Sequence, residues 1–165
     1  MSSGASMVTS REANSDRRAC FATAVRKASR RLTQLYDDAL APSGLRSTQF
    51  SILAELAMGS GSPPTLRELA DALVSDRSSL GHALRPLVRD GYVVLRRGET
   101  DRRAQHIALT ECGRDKFREG ATRWQMAQQA FLALHGEAWA KTVRTTLLEI
   151  AYDERLGKME REAVS

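Results

Sequence analysis

Hydrophobic positions recur along most of this chain at the three- and four-residue intervals of helical faces, and only one stretch alternates with a period of two. Residues 1–15, rich in serine, glycine and other small polar residues, show neither period and read as a disordered tail. Structure is expected to begin near Asp16. Phe21, Val25, Ala28, Leu32, Leu35 and Ala39 then form one face of a first helix that stops before Pro42. Phe50, Leu53, Ala54 and Ala57 mark a second helix, for which Ser47 is the expected cap and Gly59 the stop. The run from Gly59 to Pro64 reads as a flexible loop, because its two prolines forbid a continuing helix.

Two short helices follow in close succession. Thr65 and Glu68 have the spacing of a capping box, ahead of a stripe of Leu66, Leu69, Ala70 and Leu73. After the brief turn Val74-Ser75, Asp76 opens a helix whose stripe is Leu80, Ala83, Leu84, Leu87 and Val88, ending at Gly91. A helix, a tight turn and a second helix make a helix-turn-helix. Tyr92 to Leu95 and Gln105 to Leu109 then read as strands, joined by a loop with a glycine turn and four arginines, Arg96, Arg97, Arg102 and Arg103. Thr110 is the expected cap of a long helix carrying Phe117, Ala121, Trp124, Ala127, Phe131 and Leu134. Gly136 breaks it before a last helix with Trp139, Val143, Leu147 and Ile150. The fold class expected is mostly α with a small β-hairpin wing: a winged helix-turn-helix flanked by N- and C-terminal helices.

Composition narrows the class of partner. With 165 residues, 42% hydrophobic and 27% charged, the chain suits one globular domain, and its net charge of +5 suits a partner rich in negative charge. It shows no secretory signal and no run of about 20 apolar residues for a membrane span. Cys20 and Cys112 fit no metal-ligand spacing, nor do His82, His106 and His135. No phosphate loop or nucleophile motif appears either. The expectation is a cytoplasmic protein that is not an enzyme and carries no cofactor or metal.

The candidate chemistry lies on the helix from Arg77 to Asp90. Its outer face offers Arg77, Ser78, His82, Arg85 and Arg89 while its inner face is apolar, so it can pack and bind at once. Arginine meets guanine O6 and N7 in the major groove with two hydrogen bonds. Gly81 interrupts this helix at a cost of roughly 1 kcal/mol against alanine, which allows either a close approach to DNA or a tolerated defect. Pro86 should bend it. In the hairpin loop Arg103 is the candidate for the minor groove, where negative potential is concentrated, with Asp101 pairing to it and holding its guanidinium in position.

Asp101-Arg102-Arg103, five residues, then Leu109-Thr110 resembles the DxR…LT signature of MarR-type regulators. Leu45 to Phe50, Thr65 to Ala70 and Leu84 to Tyr92 extend the likeness over residues 45 to 113. The resemblance implies a single MarR-type domain over 16–160: a dimerisation helix over 16–41, a DNA-binding region over 42–112 and dimerisation helices over 113–165. It further implies a homodimer on a palindromic operator of double-stranded DNA, acting as a repressor released by a small aromatic or carboxylate effector.

For that effector the residues singled out are Tyr36, Phe50 and Trp124, with Arg30 as anion partner. One branch of the family senses organic hydroperoxides through a cysteine near the start of its first helix. Cys20 with Tyr36 is similar to that arrangement, though the spacing differs by about half a helical turn and Arg26 and Lys27 intervene. Thiol sensing through Cys20 therefore stands as an alternative to ligand release. An alternative of another class is a winged helix serving as an interaction module with no operator specificity.

Overall fold

The computed structural model describes residues 20–97 and 105–156. In chain order it comprises α1 (Phe21–Leu40), a 3-10 turn (Ala41–Ser43), α2 (Ser47–Met58), α3 (Leu66–Ala72), α4 (Arg77–Arg89), β1 (Val93–Arg97), β2 (Gln105–Leu109), α5 (Glu111–His135) and α6 (Glu137–Ala151). The fold is therefore a winged helix-turn-helix framed by helices, as the patterning predicts. Asp16, where order was expected to start, lies outside the described residues; Cys20 is the N-cap of α1.

The core lies where α2, α3, α4 and the hairpin meet. Leu53, Leu69, Leu87 and Ile107 are at most 1% exposed, and burying each such side chain contributes roughly 1.5–3 kcal/mol. The two strands run antiparallel, with Val93 opposite Leu109 and Leu95 opposite Ile107. The loop expected to be flexible before Thr65 is tied to them. The Ile107 N–H donates to the Pro64 carbonyl (2.8 Å), Thr65 bridges to His106, and His106 Nδ1 lies 2.7 Å from the Pro63 carbonyl. Prolines lack a donor but keep an acceptor, so they serve a short edge that only receives hydrogen bonds.

α5 spans about 37 Å at 1.5 Å per residue. Its closely packed seam is made of Gly113, Gly120 and Ala127, all buried and seven residues apart. A Cβ on Gly120 would come within 2.9 Å of Phe50 Cδ2, and one on Gly113 within 2.0 Å of the Tyr92 carbonyl oxygen. These glycines let α2 and the base of the hairpin sit directly on the α5 backbone. Lys116, one turn on from Gly113, donates to the Ser43 carbonyl (3.0 Å) and to Glu119 (2.8 Å), with its ammonium 5.5 Å from the Tyr92 ring centroid. The bond to Glu119 raises its pKa, and the site joins the end of α1 to the base of the wing.

The capping of α2 differs from expectation. Arg46, not Ser47, is its N-cap, and the Arg46 N–H donates to Gln49 Oε1 (2.9 Å). The Ser47 N–H is satisfied by Asp37 of α1 (2.7 Å), which also pairs with Arg46 (3.3 Å). Desolvation pushes the Asp37 pKa up, but the bonds from Ser47 and Arg46 outweigh it and hold the carboxyl below its ordinary value. A carboxylate at a helix N-terminus also meets the positive end of the helix dipole.

The outer helices leave apolar surface open. Phe21 is 88% exposed and Leu134 77%, and Trp139, Leu148 and Ile150 are about half exposed. Phe131, His135 and Trp139 continue as a ladder of rings 4.7 Å apart at each step across the Gly136 elbow.

Candidate nucleic-acid interface

The helix-turn-helix forms as its caps dictate. Thr65 Oγ1 accepts from the Glu68 N–H (3.3 Å) and Glu68 Oε2 accepts from the Thr65 N–H (2.7 Å), the reciprocal pair of a capping box. α3 closes through Ser75 N–H to the Ala70 carbonyl (2.9 Å) and Val74 N–H to that of Asp71 (3.2 Å), with Val74 at φ 47°. This is a Schellman closure with valine where glycine is usual. Asp76 then caps α4 by accepting from the Ser79 N–H (2.8 Å), a bond that lowers the carboxyl pKa.

On α4, Leu80, Leu84 and Leu87 are buried, while Arg77, Ser78, His82, Arg85 and Arg89 are all exposed. Ser78, His82, Arg85 and Arg89 follow one another at four, three and four residues, the spacing of a single helical stripe. Arg77 and Arg85 make no ion pair with any described residue. Arg89 differs: its Nε and Nη2 grip both carboxylate oxygens of Asp90 at 2.7 and 3.1 Å, which raises the arginine pKa and lowers that of the aspartate. Half the charge that the sequence offered at this end of the helix is thus already neutralised. Spacing does not mark this pair, because adjacent residues on a helix interior do not face each other; here Asp90 is the C-cap, where the chain leaves the helix.

The helix runs without a break through Pro86, which sits in its last turn. A Cβ on Gly81 would meet nothing within 4 Å among the described residues, so none of them requires glycine there. Arg96 and Arg97, at the end of β1, are exposed. Asp101 and Arg103 lie outside the described residues.

The residues singled out for an effector separate into two groups. Phe50 stacks between Phe117 (5.5 Å between centroids) and Trp124 (6.2 Å), and Tyr36 stacks on Trp124 at 6.4 Å. Phe50 is 7% exposed and belongs to the core. Tyr36 instead lines two cavities. One, of about 400 Å³ between α1 and α2, carries Val25, Leu32 and Leu147 beside the hydroxyls of Thr33, Thr48 and Ser51. The other, of about 510 Å³ between α1, α5 and α6, includes Phe131, Lys141 and Arg144. The Tyr36 hydroxyl donates to Gln128 Oε1, and burial raises its pKa. Phe50, Trp124 and Arg30 line neither cavity. Arg30 precedes Tyr36 by six residues, about 120° around the helix at 3.6 residues per turn, and points away from it.

Cys20 is exposed at the N-cap of α1. Its pKa is lowered, chiefly by the hydroxyl and backbone amide of Thr23 and only slightly by Arg26. Cys112 is also exposed. Among the described residues no three His, Cys, Asp or Glu side chains converge to hold a metal, and no helix is long and apolar enough to cross a membrane.

A helix-turn-helix whose second helix is apolar inside and basic outside, followed directly by a β-hairpin, defines a winged helix-turn-helix regulator. The MarR family model matches residues 43–104. The transcriptional regulator MosR of M. tuberculosis, solved in complex with DNA, is 33% identical over 84% of this chain and 98% of its own, with a TM-score of 0.73. CouR from Rhodococcus jostii RHA1, bound to p-coumaroyl-CoA, is 26% identical over 80% and 92%, with a TM-score of 0.68. BpsR of Bordetella bronchiseptica shares the fold at 18% identity over 81% and 94%, with a TM-score of 0.72. No curated protein matches the sequence at a significant level. The chain belongs to the MarR family of transcriptional regulators.

Proposed function

We propose that this regulator binds a palindromic operator as a homodimer, with α4 in the major groove and the wing against the minor groove. Arg77, Ser78, His82 and Arg85 read base edges; Arg103, positioned by Asp101, is assigned to the wing contact from its sequence motif alone. The observation that carries the reading is the exposed polar face of a helix whose opposite face is locked in the core, with Arg77 and Arg85 free of any ion pair to a described residue. Such a helix presents its donors from a backbone already fixed, so that only the side chains remain to be ordered on binding. Arg89 has a lesser part, because Asp90 already holds it. The open apolar surface of α1, α5 and α6 supports the dimer, since a second copy is the simplest cover for it.

The regulator represses, and a small aromatic molecule entering the cavity beside Tyr36 releases it. CouR, solved with p-coumaroyl-CoA, supports an aromatic effector. A carboxylate on that effector would find its counter-charge in Lys141 or Arg144, which line the adjoining cavity, rather than in Arg30.

Selection from a random duplex pool, followed by affinity measurement for Arg85→Ala, tests the DNA reading. The expected loss is about 10- to 100-fold, the worth of a bidentate base contact. It should be accompanied by a fall of log K with log salt of about −0.9 per neutralised phosphate. A pool that yields no palindrome, or an Arg85→Ala variant that binds the operator as well as the parent, overturns it. A second reading, thiol sensing, is favoured by the exposure and lowered pKa of Cys20. Peroxide release that persists in Cys20→Ser would exclude it.

A further inference from the structure

The C-terminus of α3 receives help from a distant part of the chain. Its Schellman closure occupies the Ala70 and Asp71 carbonyls but gives no backbone donor to the carbonyl of Ala72, the last helical residue. Such orphan carbonyls are the general problem of a helix end. Here the Tyr152 hydroxyl donates to the Ala72 oxygen at 3.2 Å, across 80 residues of sequence. The donor also meets the negative end of the α3 dipole.

The location gives this contact its meaning. α3 and α4 are held chiefly by each other, by α2 and by the hairpin; neither α1, α5 nor α6 is among their principal neighbours. Tyr152 directly follows α6, which itself packs on α5, so it is the point where the outer helix pair reaches the turn of the helix-turn-helix. The two sides face each other across a cleft of about 580 Å³, with Ala70, Val74 and Ser75 opposite Ile150, Tyr152 and Leu156. The segment after Tyr152 is stiffened locally. Arg155 grips both oxygens of Asp153 at 2.8 and 2.7 Å and holds that carboxyl at about 2. Opposite it, Val74 sits at a positive φ that a β-branched residue adopts rarely. The Val74 and Ser75 N–H bonds of the Schellman closure hold it there.

We infer that Tyr152 is a positioning residue for operator recognition: its hydroxyl caps α3, fixes the angle between the helix-turn-helix and the outer helices, and so sets the half-site spacing the dimer accepts. The inference rests on the reading of a dimer on a palindrome. Inserting one base pair between half-sites moves one of them by about 3.4 Å and turns it by about 35°, since one turn of duplex is about 34 Å and 10 base pairs. A rigid pair of lobes pays heavily for that displacement, and a loosened pair less.

The test uses the full chain and Tyr152→Phe, which removes only the hydroxyl, with the selected operator, versions lengthened or shortened at the centre by one and two base pairs, and an isolated half-site. For the parent, affinity should fall steeply with either change. In Tyr152→Phe, affinity for the optimal operator should drop about three- to tenfold, the range of one net hydrogen bond. The penalty for altered spacing should shrink, and half-site affinity should stay at the parental value. A purely structural effect would instead weaken every duplex alike, half-site included. That uniform loss, or a spacing profile identical to the parent's, overturns the inference. A parent indifferent to spacing would bring down the palindrome reading itself, and the role of Tyr152 with it.

Discussion

Gly113→Ala should destabilise the protein by about 3 kcal/mol, at the upper end of the usual cost of overpacking. For a chain of this length that lowers Tm by roughly 6–12 °C. The added methyl would lie 2.0 Å from the Tyr92 carbonyl oxygen, 2.9 Å from the Tyr92 carbonyl carbon and 2.8 Å from Leu109 Cδ1. Neither backbone is free to yield. The Tyr92 carbonyl accepts from the Thr110 N–H at 3.1 Å, the Thr110 hydroxyl donates to the neighbouring Gly91 carbonyl at 2.7 Å, and Thr110 Oγ1 in turn accepts from the Gly113 N–H at 3.0 Å. Thr110 thus closes a knot that holds the start of α5 against the base of the wing, and the clash falls inside it. Parting the two would remove the α5 cap, or tilt the hairpin away from α4 and weaken operator binding. Thermal unfolding of the two proteins side by side checks the claim; a difference below 1 kcal/mol would show that the hairpin gives way easily. Gly81 offers the contrast, because a methyl there meets none of the described residues within 4 Å and should cost little by overpacking.

What the sequence displayed, and what it hid, follow a physical division. Caps made within one turn were legible: Thr65 with Glu68, Asp76 with Ser79 and Thr110 with Gly113 each need only a side chain and a backbone three residues away. The basic stripe of α4 was legible for the same reason, since helical spacing alone puts it on one face. The contacts that escaped depend on the tertiary path. Asp37 takes the N–H of Ser47 only because the 3-10 turn folds α1 back over the start of α2. The prolines before Thr65 look like loop residues until the hairpin arrives as a partner for their carbonyls. Gly113 and Gly120 are absent from the stripe of apolar residues expected for this helix, yet the backbone of Tyr92 and the ring of Phe50 approach them closely. A seven-residue recurrence of Gly113, Gly120 and Ala127 was the available signal. The Tyr152 contact had none, because nothing in the spacing of a tyrosine and an alanine 80 residues apart marks them as neighbours.

Phe50→Ala should be the most damaging of the substitutions at the aromatic positions, at about 3–5 kcal/mol, the cost of emptying a phenylalanine site in a core. Phe50 is 7% exposed, lies between the rings of Phe117 and Trp124, and presses on Gly120 of α5. Each of these neighbours is on α5, so the ring is the main joint between α2 and the long helix that carries the outer helices. The cavity left behind could close only by moving α2, and α2 is held at its start by Asp37 and along its length by the helix-turn-helix core. The cost should therefore fall near the upper end of the range. The same substitution separates two meanings of an aromatic cluster. A ring that lines an effector site stabilises the protein mainly when the effector is bound, whereas a ring in the core does so at all times. Urea unfolding should thus show the loss in full without any ligand. Tyr36→Phe should leave stability within about 1 kcal/mol of the parent, since only its bond to Gln128 is removed. If Phe50→Ala unfolded at the parental midpoint and lost only its response to an aromatic effector, Phe50 would belong to the cavity after all. The division drawn between Phe50 and Tyr36 would then fail.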